Sequence, residues 1–339
     1  MKSILTKACL AALAACTVWG CAKSAEEGVN EAARRYFDAW LAINYPGAVE
    51  KDGVYVVEDK PGTGDAWDDS LPVSFVTYTV RTLSGSVSAN THEAWARQLG
   101  NWNRTYYYGE QVIQTGEGLS YAGVDAILKG MRAGGTRTAV IPSWMMTNSR
   151  YDSTDEYFKH ETENSAAIYT FTLHGQTDDI VKYEYDRLLG YARDTWGVTD
   201  TLSAAPVFFK SHTDFDGEPP VMPTDTTVYI NYIGRRVSDG QVFDTNIADT
   251  AKFYHIHIPS KTYEPVSVAL KPELADISMD GSTTLINGFK YGLKEMHPGE
   301  SASFAFGFNL GYGSAGGQDT HMIPPYSALR FDVELVPKP

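Results

Sequence analysis

Two polar side chains stand where packing alone does not ask for them: Asp244, directly after Phe243, and Tyr312, held between Gly311 and Gly313. A carboxylate accepts hydrogen bonds and a phenol donates one, so such groups can polarise a bound molecule without becoming bonded to it. Other chemistries are poorly provided for. All three cysteines, Cys9, Cys16 and Cys21, lie at the N-terminal end, which leaves none elsewhere for a disulfide, a thiolate metal site or a cysteine nucleophile. His255 and His257, one residue apart, would share one face of a strand as metal ligands often do, but no further ligand is evident nearby. Asp214-Phe215-Asp216-Gly217 carries part of a calcium-loop spacing without the downstream glutamate and reads as a turn. No glycine loop opens a helix to cradle phosphate, and no serine or cysteine triad is suggested. Neither a metal nor a cofactor is expected.

The elements around Asp244 and Tyr312 are readable from periodicity. Val228-Tyr229-Ile230-Asn231-Tyr232-Ile233-Gly234 and Leu329-Arg330-Phe331-Asp332-Val333-Glu334-Leu335 alternate as half-buried strands, and Ile286–Met296 reads as a helix. Phe243, Phe289, Phe331 and Ile286 could be ordinary core residues of these elements; Phe289, Leu293 and Met296 share a helical face on which Leu293 and Met296 are core positions. Upstream, Glu26–Asn44 places Val29, Ala33, Tyr36, Phe37, Trp40 and Leu41 on one helical face, and Pro46-Gly47 ends it. Gly53–Lys60 and Val73–Val80 read as strands. Val73–Val80 parallels the strand from Val228, and Gly123–Met131 with Gly134-Gly135 parallels Gly288–Gly299. The chain therefore looks like an internal duplication at a spacing of about 160 residues. Between the copies Thr177–Thr195 reads as a helix, opened by Asp178 and Asp179 and closed by Gly197. The insertion Asn90–Gln114 carries Trp95, Trp102, Tyr106, Tyr107 and Tyr108, which would either pack on their own domain or form a peptide or glycan contact surface.

With 339 residues the chain can bury two cores, and 43% hydrophobic against 21% charged content is globular. A net charge of -14 opposes binding to nucleic acid or anionic lipid head groups. Residues 1–20 read as an export signal: two lysines precede an apolar run from Ala8 to Gly20 that is too short to span a bilayer comfortably. Leu13-Ala14-Ala15-Cys16 looks like a bacterial lipobox and Val18-Trp19-Gly20-Cys21 like a looser one, so either Cys16 or Cys21 would be lipidated. Attached acyl chains would anchor the protein, each buried CH₂ contributing about 0.8 kcal/mol.

The segments Val228–Gly234, Asp239-Gly240, Phe243-Asp244, Leu285–Met296, Pro298-Gly299-Glu300, Gly311-Tyr312-Gly313, Ile323-Pro324-Pro325 and Leu329–Leu335 together resemble an FKBP-type peptidyl-prolyl cis-trans isomerase domain. The resemblance implies an α+β fold of two FKBP-like domains, each an antiparallel sheet curled around a short helix, plus an N-terminal helix and a linker helix. The divisions would be 1–20 signal, 21–52 N-terminal helical segment, 53–174 degenerate domain, 175–200 linker helix and 201–339 isomerase domain. It further implies that Tyr232, Phe243, Phe289 and Phe331 line a cavity with Leu285 and Ile286 on its wall, Met322 and Ile323 on the loop beyond, and Phe253 at the rim. Tyr312 would donate to the substrate carbonyl and Asp244 would polarise the site.

The chemistry of such a site needs no nucleophile. Resonance sets a barrier of roughly 18–20 kcal/mol to peptide rotation, and at X-Pro the isomers differ by only about 0.5–1 kcal/mol. A dry pocket that disfavours the charge-separated planar amide, with a donor to hold the turning carbonyl, lowers that barrier. Three departures from the family pattern bear on preference: Phe289 replaces a tryptophan, His255 replaces a further aromatic, and the loop Ser314–Met322 is longer than the shortest version and lacks its histidine. In the first copy Ser88-Ala89 stands in place of Phe243-Asp244, so that copy is expected to keep the scaffold and lose the site. The expected function is isomerisation of X-Pro bonds in exported polypeptides, with macrolides as further expected ligands. The expected location is a lipid anchor in the bacterial cell envelope, at the outer membrane and facing the periplasm or the surface. The alternative is a non-catalytic, chaperone-like or assembly-scaffold lipoprotein that holds peptides.

Overall fold

The structure, a computed structural model, describes residues 29–160 and 164–339. The export signal and both candidate lipidation cysteines lie outside the described residues. Helix α1 (Val29–Asn44) precedes a first sheet of β1 (Val49–Lys51), β2 (Val54–Lys60), β3 (Val73–Thr82), β4 (Val87–Asn90), β5 (Gln111–Gln114), β6 (Thr136–Ile141) and β7 (Ala167–Thr177). Helices α2 (Glu93–Leu99), α3 (Ala122–Leu128) and α4 (Thr154–His160) are set among these strands, and α5 (Ile180–Trp196) leads out of them. The second sheet holds β8 (Val207–Ser211), β9 (Thr226–Arg236), β10 (Val242–Thr245), β11 (Val266–Leu270), β12 (Ser278–Met279), β13 (Ser301–Phe306) and β14 (Leu329–Val336), with α6 (Ala248–Phe253) and α7 (Asn287–Glu295) between strands. Every strand pairing is antiparallel. The fold is α+β.

The duplication is visible in strand order. The first sheet runs β2-β6-β7-β3, with β4 and β5 both paired to β3; the second runs β8-β13-β14-β9, with β10 and β11 both paired to β9. Short β1 and β12 extend the edges. Helices α3 and α7 take equivalent places, and each is seated through a glycine against the last residue of the facing strand. A Cβ on Gly123 would lie 2.2 Å from Ile141, and one on Gly288 would lie 2.3 Å from the Phe306 ring. Overlap of that kind forces side chains off their rotamers. The glycines therefore set how closely helix meets sheet.

In the second domain α7 buries Phe289 and Leu293, with Met296 just beyond its end, against Ile230, Val268, Phe304, Phe306, Phe331 and Val333. Alternation along β9 puts Ile230, Tyr232, Gly234 and Arg236 on the buried face and leaves Tyr229, Asn231, Ile233 and Arg235 partly exposed. Helix α1 packs Phe37, 3% exposed, with Val140 and Ile168, its ring centroid 5.2 Å from that of Trp144. Trp40 and Leu41 flank it, but Tyr36 points to solvent, so the aromatic stripe is narrower than its periodicity implies.

Helix α5 starts at an N-cap, Asp179, whose carboxylate accepts from the Lys182 amide, and ends at Gly197 in the left-handed conformation. It seats Leu188 and Ala192 on Phe208 and Ala305 of the second sheet, while Tyr183 stacks on Phe75 of the first at 4.1 Å. It thus belongs to both domains. Among the described residues no helix is long and apolar enough to cross a membrane.

Candidate functional site

Strand β10 is joined to β9 through a bulge between Val242 and Asp244, which turns the Asp244 side chain toward Tyr232 rather than out along the ladder. The backbone groups of Tyr232 that β10 no longer reaches are taken by the next two side chains. Thr245 Oγ1 donates to the Tyr232 carbonyl at 2.6 Å, and Asn246 Oδ1 accepts from the Tyr232 amide at 2.8 Å. Asn246, 2% exposed, also donates to the carbonyls of Ile230 and Glu264, each at 2.9 Å. Phe243-Asp244-Thr245-Asn246 therefore works as one unit that fixes Tyr232 and aims Asp244.

The Tyr232 hydroxyl donates to Asp244 Oδ2 at 2.7 Å. Asp244 Oδ1 accepts from Lys261 Nζ at 2.6 Å and from the Thr245 amide at 2.9 Å. Burial, reinforced by the Asp244 charge and the hydrogen bond to it, pushes the Tyr232 phenol far above its ordinary value. Tyr312 is likewise raised, by burial and then by the Asp244 charge. Both hydroxyls therefore keep their protons. That of Tyr232 is committed to Asp244; that of Tyr312 has no hydrogen-bond partner among the described residues and is available as a donor.

Around this polar edge the rings pack at their edges and faces. Phe243 meets Tyr312 and Phe331 edge-on, with centroids 6.5 and 5.8 Å apart; Phe289 lies 4.7 Å from Phe331 and 6.1 Å from Tyr232. Phe289, Phe331 and Tyr232 are buried, Phe243 is half-buried and Tyr312, its ring against Phe243, is 38% exposed, so the group is graded from buried rings to a solvent-facing phenol. Gly234 makes the approach of Phe243 and Phe331 feasible, because a Cβ there would meet both rings within 2.9 Å. Ile323 is buried in the same cluster, and Leu285, Ile286 and Met322 pack against it.

The structure thus brings together Tyr232, Phe243, Asp244, Leu285, Ile286, Phe289, Tyr312, Met322, Ile323 and Phe331. Phe253 is not among them: at the end of α6 it is 67% exposed and its ring packs on Tyr254. His255 and His257 lie in a turn after α6 rather than on a strand; His255 meets Arg104 and His257 stacks on Tyr263. Among the described residues no three His, Cys, Asp or Glu side chains gather as a metal site would require.

Two further side chains brace the group, Lys261 on Asp244 and Asn246 on the Tyr232 backbone. Lys261 neutralises Asp244 from a loop whose sequence, Ser260-Lys261-Thr262-Tyr263, does not distinguish it from a surface lysine. Asn246 follows Asp244 by two residues, and an asparagine just after a strand is a signal in the sequence for a side chain bonded to backbone.

In the first domain the paired registers make Tyr78 equivalent to Tyr232 and Tyr169 to Phe331. A cavity of about 450 Å³ opens there, lined by Tyr78, Tyr169, Phe171 and Val124, with Ala89 where a carboxylate would be needed. The insertion Asn90–Gln114 does not simply fold onto its own domain, because the Tyr107 amide donates to the His321 carbonyl of the second domain at 2.7 Å.

Residues 220–336 match the family model described as FKBP-type peptidyl-prolyl cis-trans isomerase. The peptidyl-prolyl cis-trans isomerase FKBP53 of Arabidopsis thaliana is 30% identical over 112 residues, covering 32% of this chain and 18% of FKBP53. The chain therefore spans less than a fifth of that relative. Among solved structures it is similar to FkpA from Escherichia coli, at 28% identity over 46% of this chain and 58% of that one, with a TM-score of 0.31. It is also similar to the three FKBP domains of wheat FKBP73, at 17% identity over 84% of this chain and 94% of that one, with a TM-score of 0.29.

Proposed function

We propose, from the match of residues 220–336 to the FKBP-type family model, that this chain is a peptidyl-prolyl cis-trans isomerase whose site is the aromatic group around Asp244 and Tyr312. The observation that carries the reading is the division of labour between two tyrosines: Tyr232 is bound to Asp244 at 2.7 Å, whereas the Tyr312 hydroxyl, at the solvent-facing edge, has no partner among the described residues. A prolyl ring seated over Phe289, between Tyr232, Phe243 and Phe331, leaves water and with it the solvation that favours the planar, charge-separated amide. Tyr312 then donates to the substrate carbonyl as the bond twists. Asp244, held by Tyr232, Lys261 and the Thr245 amide, supplies a fixed field that need not reorganise during the reaction. Leu285, Ile286, Met322 and Ile323 grip the residues flanking proline, Phe253 takes part only at the outer rim, and macrolides compete for the same rings.

The substrates in this reading are proline-containing exported polypeptides, and the protein sits in a bacterial cell envelope, at the outer membrane, on a lipid attached to Cys16 or Cys21. Metabolic labelling with a fatty acid, comparing Cys16→Ala and Cys21→Ala, tests the anchor: loss of label in neither variant would overturn it. For the activity, cis–trans exchange of a short X-Pro peptide is followed by NMR with the full chain and with Tyr312→Phe plus Asp244→Ala. Acceleration by the wild type that the double variant largely loses supports the site; no acceleration by the wild type overturns the isomerase reading.

A second reading has its own observation. The first domain keeps an aromatic cavity with Ala89 in place of a carboxylate, which suits holding a peptide rather than turning it. A chain that leaves X-Pro exchange unchanged but suppresses aggregation of an unfolded client would be a binding scaffold.

A further inference from the structure

The loop that carries Met322 and Ile323 is held from outside its own domain. In the first domain the turn Asn103–Tyr108 is braced by its own side chains: Asn103 Oδ1 accepts from the Thr105 amide and hydroxyl at 3.0 and 2.9 Å, and the Tyr108 hydroxyl accepts from the Asn103 amide at 3.0 Å. This turn meets the second domain through four successive residues, beginning with Arg104, whose Nη1 lies 3.1 Å from His255 Nε2. The Tyr107 amide donates to the His321 carbonyl at 2.7 Å, the Tyr106 ring stacks on that of His321 at 4.7 Å, and the Thr105 carbonyl accepts from Arg236 Nη1 at 3.0 Å.

Arg236 is the centre of the contact. It ends the inward-facing row of β9, after Ile230, Tyr232 and Gly234, and is 1% exposed. Its Nε and Nη2 donate to Asp239 at 2.9 and 2.7 Å, its Nη1 donates to the carbonyls of both Thr105 and Met322, and its guanidinium lies 5.6 Å from the centre of the Tyr107 ring. A buried guanidinium is tolerable only when its donors are met. Here one donor group is met jointly by a carbonyl from each domain. Pulling the domains apart would strip Arg236 of its Thr105 partner and leave the guanidinium that holds the Met322 carbonyl, next to the buried Ile323, braced from its own domain alone.

We propose that the first domain acts in cis as a bracket for the substrate-contacting loop of the second, with Arg236 as the positioning residue that joins them. The degenerate copy has a task that needs no site of its own: it presses Asn103–Tyr108 onto residues 319–323 and so fixes one wall of the pocket. Arg236 touches no substrate and acts through the Met322 carbonyl. Because Met322 and Ile323 would contact the substrate alike before and during rotation, loosening them weakens binding more than it slows turnover. The catalytic consequence rests on the isomerase reading; the mechanical one does not.

The test uses the full chain as wild type, Arg236→Met, Arg236→Lys and Tyr106→Ala, with two readouts. Hydrogen exchange is followed at the amides of Gly317, Met322 and Ile323, which bond within the loop. Steady-state isomerisation separates KM from kcat. Arg236→Met and Tyr106→Ala are expected to speed exchange at these amides about tenfold and to raise KM about three- to tenfold while kcat stays within about twofold. Arg236→Lys, which can still donate to one carbonyl, is expected to recover part of both. Folded variants with unchanged exchange would overturn the bracket. Should Arg236→Met fail to fold, Tyr106→Ala decides alone, since it leaves the buried cation paired. A wild type without isomerase activity would remove the isomerase reading, and the exchange comparison would still decide the bracket.

Discussion

The hydroxyl of Tyr232 donates to Asp244 at 2.7 Å, and the same unit that aims the carboxylate also satisfies the Tyr232 backbone through Thr245 and Asn246. Removing either end of the hydrogen bond should therefore cost activity without dismantling the strand. Tyr232→Phe leaves Asp244 its bonds to Lys261 and the Thr245 amide, so kcat/KM for an X-Pro peptide should fall about tenfold. Asp244→Asn also removes the charge that Lys261 faces, and a loss of about 10–100-fold is expected. Parallel NMR exchange measurements on the two variants check the order; equal losses, or none, would contradict it.

Under the proposed mechanism, protonation of the two phenols would set the alkaline limb. Burial and the Asp244 charge hold Tyr312 above its ordinary value, and Tyr232 higher still. Neither donor is lost as the pH rises through the neutral and mildly alkaline range. The exchange rate per enzyme is expected to stay flat to about pH 9, below even an unperturbed phenol's midpoint near 10. A decline centred near neutrality would mean that a different group donates. Tyr312→Phe should lower the rate about tenfold at every pH in that range.

Helix seating gives a stability prediction with an unusual sign. Replacing a helical glycine by alanine ordinarily stabilises by about 1 kcal/mol. At Gly292, however, a Cβ would come within 2.4 Å of the Phe304 ring, which is itself fully buried and stacked beneath Phe331 and Phe209. Overpacking of about 1–3 kcal/mol should exceed the helical gain. Gly292→Ala is expected to lower the denaturation midpoint of the second domain, read from its own amide signals in a denaturant titration. An increase would show that the ring can move aside.

What the sequence made legible follows from what periodicity reports. Alternation from Leu329 to Leu335 and from Val228 to Gly234 identified strands and their buried faces, and the repeated glycine-led helix exposed the duplication. Alternation placed Tyr232 and Phe331 on inward faces, but only the family resemblance implied that these rings line a site rather than an ordinary core. Alternation says which face is covered, though not by what. Arg236 is a cation in the inward row, an anomaly that its sequence neighbours do not explain and that Thr105 of the other domain, bonded to it, does. The tyrosines at 106 and 107 were visible as a cluster, but their docking on His321 depends on how two domains meet, which no local pattern encodes. His255 and His257 failed as a strand pair because the segment turns, with His255 in the left-handed region at φ 60°.

The outer face of the second sheet carries the last prediction. Asp332 is bonded to Arg235 at 2.9 Å, Arg330 at 2.7 Å and Ser303 Oγ at 2.6 Å, and Arg330 in turn donates to the Tyr191 hydroxyl of α5 at 2.9 Å. Burial works to raise the Asp332 carboxyl, but the bonds from Ser303, Arg235 and Arg330 outweigh it and leave the group below its ordinary value. A carboxyl depressed in the folded state stabilises that state fully above its unfolded value of about 3.9, and the contribution is lost as the pH falls through the lower folded value. Asp332→Asn should therefore destabilise the protein by about 2 kcal/mol near neutrality. Its acid limb below about pH 4 should be shallower than that of the wild type. Because Asp332 orients Arg330, the same variant should speed hydrogen exchange in α5 around Tyr191 more than in α1. Unchanged exchange in α5 would mean that the helix is held by Leu188 and Ala192 alone, with the ion cluster serving only its own sheet.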